Sequence, residues 1–290
     1  MTDSTQRRNL FRLGGAGLTL AAAGAILDSG KAAAQAAPTS LLRTVLDRGK
    51  LIVGTGSTNP PWHFENDKGE LTGMDIAMAR ILAKGLFDDV KKVEFVRQEA
   101  NARIPNIVTG KVDIAIQFMT ISPARTQLVA MSRPYYVECA ALMTAPKSKW
   151  PTYKDLLAAG KQARVSVLQN VDADTLVHNA LPDAQVMQLD SQANVMQAVT
   201  AGRADAAVVD ASTVKWLVKR NPGDYADPGF AWGAQLYGAA MRQGDQDWLN
   251  WVNTCFNVAM HGHQPEIYNA AFEEFFGDKP PVQKPGFPPF

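Results

Sequence analysis

From residue 51 to residue 241, short β-branched runs alternate with helical segments, and that alternation confines the chain to an α/β architecture with mainly parallel sheets. Strand-like runs stand at residues 51–54, 93–96, 112–116, 140–144, 164–168, 186–189, 206–209 and 237–241. Helical patterns lie between them. The clearest is 74–86, where Met74, Ala77, Met78, Ile81 and Leu82 share one face. Further helices are expected at 104–109, 153–159, 174–180, 191–201 and 212–220, and two more follow at 245–260 and 266–276. The last ten residues are proline-rich and read as extended.

Residues 110–125 carry the most local chemistry. Val112 to Ile116 is a strand covered on both faces. Ser122 can cap a following helix, and Pro123 suits its first turn, where no N–H is needed. Arg125 falls in that turn and Thr120 just before it. A guanidinium fork, a hydroxyl and a helix start can converge there as an anion pocket at a strand's C-terminal end. A surface arginine on a capped helix fits this stretch equally well.

A faint internal repeat supports two similar halves. Val108 to Ile116 and Val199 to Val208 each read as a helix end, a glycine, a basic residue, an aspartate two places later and an apolar strand. The glycine suits a left-handed helix terminus. Strand ends in open α/β sheets face the ligand crevice, so Gln117 and Phe118 end one half's strand and Asp210 the other's. Gln117 either faces a ligand there or fills a polar gap. Thr120 and Arg125 opposite the Asp210 carboxylate would suit a ligand with both an anionic and a cationic group, such as an α-amino acid.

The N-terminus reads as an address. Arg7 and Arg8 precede a weakly apolar, charge-free run from Leu13 to Leu27, too short to span a bilayer convincingly, and Ala34-Gln35-Ala36 offers a small-x-small cleavage site. This is the layout of a twin-arginine-type export signal over residues 1–36. Its removal takes away Arg7, Arg8, Arg12 and Lys31 against Asp3 and Asp28, turning a formal charge of +1 into −1. A near-neutral chain gives no electrostatic case for nucleic acid or an anionic membrane. Cys139 and Cys255 read as two isolated thiols. His261 and His263, two apart, have the wrong spacing for a shared metal face. Asp75 reads as a helix-start residue matched to the dipole.

The chain resembles the periplasmic amino-acid-type solute-binding proteins that serve ABC transporters, over about residues 41–276. The resemblance is carried by Gly49 to Gly56, Pro60-Pro61-Trp62-His63-Phe64, Gly69 to Asp75, Arg103-Ile104-Pro105, Gly110 to Asp113, Met119 to Arg125, Pro134-Tyr135-Tyr136 and Ala201 to Ala207. It implies a type II periplasmic-binding-protein fold: two lobes, each on a mainly parallel sheet, joined by a two-strand hinge. One lobe would comprise residues 37–139 plus 236–290, and the other 140–235. The residue matching Arg125 grips the ligand α-carboxylate with the Thr120 hydroxyl. The acid matching Asp210 takes the α-ammonium, and the Phe118 backbone assists. Arg103 stands where binders of acidic amino acids carry an arginine near the ligand side chain, and Asn170 to Asp172 match the loop that closes over the carboxylate. His63 lies near the cleft in this register.

Three positions depart from the pattern. Gly56 replaces an acid, Asn59 replaces a stacking aromatic whose part Trp62 would then take, and Asp172 replaces a small hydroxyl residue. The implied function is extracytoplasmic capture of a small polar amino acid, acidic ones included, and delivery to an ABC permease by a monomer without metal or cofactor. The alternative is a cyclohexadienyl or prephenate dehydratase on the same fold. Leu168 to Asp174 lacks the glycine-rich Asn-Pro-Gly-Gly-Thr-Asn-Glu loop of those enzymes.

Overall fold

The computed structural model describes residues 39–280. The stretch read above as an export signal and the last ten residues lie outside them. Eight strands form one hydrogen-bonded path in the order Gln185–Leu189, Arg164–Leu168, Ala206–Asp210, Tyr136–Met143, Ala231–Met241, Ile114–Thr120, Leu51–Thr55 and Val93–Arg97. The short strand Ala130–Met131 pairs with Ala231–Met241 off that path. The first three strands of the path pair in parallel, as do the last three. Every pairing that involves Tyr136–Met143 or Ala231–Met241 is antiparallel. The two parallel sheets expected from the sequence are therefore present, and the two long crossing strands connect them into one ladder.

The internal repeat has a physical basis. Gly110 and Gly202 both adopt left-handed backbone, with φ of 73° and 67°. Glycine takes that conformation without the steric cost of a Cβ. The aspartate three residues on then docks on a strand. Asp113 N–H donates to Ile52 O at 2.9 Å, and Ile52 N–H donates back to Asp113 Oδ2 at 2.7 Å. In the other half Asp205 N–H donates to Arg164 O at 2.8 Å, and Arg164 N–H returns to Asp205 Oδ2 at 2.9 Å. Arg48 pairs with Asp113, and the Arg164 side chain pairs with Asp205 at 2.9 Å. The basic residues Lys111 and Arg203 within the repeat take no part in these pairs.

Each half has its own apolar packing. Around Leu51–Thr55 and Ile114–Thr120, the helix Met74–Phe87 buries Met74, Met78 and Leu82 against the C-terminal helices Gln246–His261 and Glu266–Phe276, with Trp62, Trp248 and Phe256 filling between. Each such fully buried side chain contributes roughly 1.5–3 kcal/mol. Around Ala206–Asp210 two clusters form, one including Val165, Val177 and Val208, the other Val195, Val199 and Val209. Alternate residues of one strand thus serve the two faces of a sheet covered on both sides. The helix that carries Arg125 is a single turn, Pro123–Thr126, capped by Ser122 as expected. Among the described residues both cysteines are free, and no helix is long and apolar enough to cross a membrane.

Candidate functional site

The crossing strand Ala231–Met241 brings the two strand ends together. Tyr237 pairs with Thr120 on one side and with Tyr136 on the other, while Asp210 pairs with Ala140. Thr120, Tyr237 and Asp210 therefore converge where the parallel sheets meet the crossing strands.

On the first half, Asp75 organises the wall. It is wholly buried and accepts three hydrogen bonds: from His63 Nδ1 at 2.7 Å, Tyr135 Oη at 2.7 Å and the Phe118 N–H at 2.8 Å. The last of these holds Phe118 at φ 37°, a conformation rare for an aromatic residue. The Phe118 ring stacks on His63 at 4.9 Å and lies 5.5 Å from the Arg103 guanidinium. Arg103 is buried and donates through Nε to Ala100 O at 2.8 Å and through Nη1 to Gln117 O at 3.1 Å. Burial, with the like charge of Arg125 second, lowers its pKa to about 10. Arg125 Nη1 donates to Thr120 O at 2.7 Å, and Thr120 Oγ1 donates to Gln235 Oε1 at 2.9 Å. Burial lowers the Arg125 pKa as well, with the Asp172 charge opposing. Each guanidinium keeps N–H groups that donate to nothing else among the described residues.

On the second half, Asp210 Oδ1 accepts from Tyr237 Oη at 2.6 Å, and Oδ2 from Asn59 Nδ2 at 3.5 Å. Burial first, then the charge of Glu138, raises its pKa to about 8. It makes no capping bond to the helix it precedes, Ala211–Arg220. Asn170 folds its amide onto Leu168 O at 2.8 Å and accepts the Asp172 N–H at 2.9 Å. Gln192 opens the helix Gln192–Thr200 and is only 6% exposed, yet its amide has no hydrogen-bond partner among the described residues. Its amide is not among the fully buried unpartnered groups, so it meets the cleft rather than the core.

These side chains enclose a cleft of about 60 Å³ between the halves, lined by Arg103, Thr120, Arg125, Asn170, Gln192 and Asp210 among others. It opens into a wider mouth of about 520 Å³, which shares Arg103, Arg125 and Asn170 with it. Polar floor, guanidinium wall and apolar flanks give a concave site with a few convergent charges. Among the described residues no cluster of His, Cys, Asp or Glu could hold a metal.

Of the expected residues, Arg125, Thr120, Asp210, Phe118, Arg103 and Asn170 line this cleft. Trp62 does not. It is wholly buried, with its ring edge-on to Tyr136 and Tyr237 at 4.8 and 5.2 Å and its indole N–H on Ser212 Oγ at 3.0 Å. Gln117 is likewise turned inward, where its amide exchanges hydrogen bonds with Gln98 at 3.0 and 3.1 Å and so fills the polar gap. Asp172 is exposed and caps nothing with its side chain, though its charge reaches Arg125. His63 stands one layer behind the wall, and a Cβ on Gly56 would fall 2.6 Å from its ring. Imidazole thus fills the space beside Gly56. Tyr237, Gln235 and Gln192 escape a reading of the sequence, because only the register of the crossing strand and the buried face of a helix disclose them.

Proteins of known kind are similar to this chain. The chain is similar to the ABC transporter glutamine-binding protein GlnH of Bacillus subtilis, 25% identical over 89% of this chain and 93% of that one. It is also similar to the L-cystine-binding protein TcyJ of Escherichia coli, 29% identical over 78% of this chain and 84% of that one. Among solved structures, the ancestral amino acid-binding protein AncCDT-1, a precursor of cyclohexadienyl dehydratase, superposes with a TM-score of 0.71 at 31% identity. That match covers 82% of this chain and all of that one. The family model of the bacterial extracellular solute-binding proteins, family 3, matches residues 51–276, and the chain belongs to that family.

Proposed function

We propose that this chain is an exported receptor that captures a small polar amino acid between two lobes, acidic and amide side chains suiting it best, and delivers it to an ABC permease. Residues 1–36 serve as the twin-arginine-type leader to the periplasm. Residues 37–139 with 236–290 make one lobe and 140–235 the other, and the mature protein works as a monomer. The observation that carries this reading is the cleft in which two guanidinium groups face a carboxylate across the meeting point of the sheets. Arg125 and Thr120 take the ligand's α-carboxylate and Asp210 its ammonium, with Phe118 and Asn170 flanking. Arg103 and Gln192 reach the ligand side chain. Ligand enters an open cleft, the lobes close on it, and the closed form docks. No chemistry is required of the chain, and the relatives named above are binding proteins.

Calorimetry against a panel of amino acids tests this. One or more acidic or amide amino acids should bind, and Arg125→Ala should cost roughly 2–5 kcal/mol, the loss of a charged contact inside a closed site. An affinity within about threefold of wild type removes Arg125 from that role. Formation of phenylpyruvate from prephenate would replace the receptor reading with the dehydratase one.

A further inference from the structure

The first turn of the helix Ala211–Arg220 follows the second-lobe strand Ala206–Asp210 directly, yet its side chains are fastened to residues 59–62 beside the other lobe's core. Thr213 Oγ1 donates to Pro60 O at 2.9 Å and lies 3.3 Å from Asn59 Oδ1. The Trp62 indole N–H donates to Ser212 Oγ at 3.0 Å, and Ser212 Oγ in turn donates to Glu138 Oε2 on the crossing strand. Glu138 Oε1 accepts the Cys139 N–H at 2.8 Å. Asn59, Trp62 and Thr213 are wholly buried, and Ser212 and Glu138 are nearly so. Further along the helix, Trp216 packs edge-on against Phe64 at 5.6 Å and tilted against Phe275 at 6.0 Å.

Hydrogen bonds of this length are lost when stretched by about half an ångström. Inside the protein the groups so freed find no water to replace the partner. In a rigid rotation of one lobe on the other, displacement grows with distance from the axis. A buried chain of bonds between the lobes can survive closure only where displacement is smallest.

We propose that Ser212 and Thr213 form the pivot about which the lobes turn, and that through it they set how far the cleft opens before ligand arrives. The proposal rests on the two-lobe capture described above. Neither residue lines the cleft. They stand two and three places after Asp210, so the pivot also fixes the carboxylate against the cleft floor. Both are positioning residues.

The test uses the ligand-free protein and so does not depend on which ligand binds. Spin labels are placed through Leu128→Cys and Val171→Cys, exposed positions on facing sides of the mouth, in a chain with Cys139 and Cys255 replaced by serine. Double electron–electron resonance then reads the distance between them. Thr213→Val combined with Ser212→Ala should give a longer mean distance and a broader spread than the parent, whereas Thr213→Ser, which keeps the hydroxyl, should match the parent. If the double variant fails to fold, Thr213→Val alone is read against Thr213→Ser. An unchanged distribution in a folded valine variant overturns the proposal, as does Thr213→Ser behaving like Thr213→Val. A purely stabilising role would lower the melting temperature and leave the distances unmoved. Failure of the amino-acid reading would appear as absent binding in calorimetry and would leave this measurement intact.

Discussion

A charge on Asp210 is costly. Its donors, Tyr237 and Asn59, are neutral, and Glu138 lies close enough to repel it. With its pKa raised to about 8, the folded chain keeps a proton that the unfolded chain has already released. The stability this supplies is complete below the unfolded carboxylate range, near pH 4, and drains away as pH rises through about 8. Glu138, also raised by burial, adds a contribution of the same sign. Urea unfolding of the ligand-free protein should therefore show stability falling between about pH 5 and 8.5, and Asp210→Asn should flatten much of that fall. An identical slope in the variant would place its origin elsewhere. Arg103 makes a second case at this scale. Its backbone partners fix it beside the Phe118 ring, so Arg103→Ala should weaken acidic and amide ligands by more than tenfold while sparing others, if it loses a charge-assisted bond of about 1.5–3 kcal/mol. Equal losses across a ligand panel would remove it from selectivity. Arg125, Thr120 and Asp210 were legible in the sequence because caps and strand ends place them. Whether Trp62 and Gln117 face the cleft or the core was not legible, because residue type says nothing about which way a side chain in a loop or strand turns.

At the scale of elements, the repeat shows how far local chemistry reaches. A left-handed glycine ends a helix, and an aspartate three residues later ties the next strand to its neighbour, once in each half. A Cβ at Gly202 would meet nothing within 4 Å, so the cost of Gly202→Ala is the backbone conformation alone, about 1 kcal/mol. Asp113→Ala should cost more, roughly 1–3 kcal/mol, because it strips a partner from the Ile52 N–H and from Arg48 at a buried site. Asp205→Ala should cost less, since Asp205 is more exposed and water can substitute. Denaturant midpoints of the three variants give that ranking, and a larger loss at Asp205 than at Asp113 would contradict it. The main strands were legible because each is a short apolar run between turns. The small sheet of Thr58–Asn59, His63–Glu65 and Leu71–Thr72 was not, since strands of two or three residues carry no period. The crossing strand was read only from Tyr237 onward. Its first half, from Ala231 to Leu236, is largely exposed and interrupted by Gly233, so it lacks the apolar signal of its buried end.

At the scale of the whole molecule, two parallel sheets share a pair of crossing strands, and the charged groups sit where those strands meet. A ligand lodged there touches both lobes, so its binding energy can be spent on holding them together. Two consequences separate this from binding to one lobe alone. A bound ligand stabilises the folded state by mass action, about 2.7 kcal/mol at a hundredfold excess over its dissociation constant, or roughly 5–10 °C in melting temperature for a chain of this size. A ligand that bridges the lobes must also compact the protein, lowering the radius of gyration in solution scattering over the same concentration range. Compaction should saturate with its midpoint at the dissociation constant, the concentration above which thermal stabilisation grows logarithmically, and Arg125→Ala should shift both curves to higher ligand by the same factor. Thermal stabilisation without compaction would mean that the ligand sits on one wall only. In that event the two guanidinium groups and Asp210 would not act on a single molecule, and the cleft would have to be reassigned lobe by lobe.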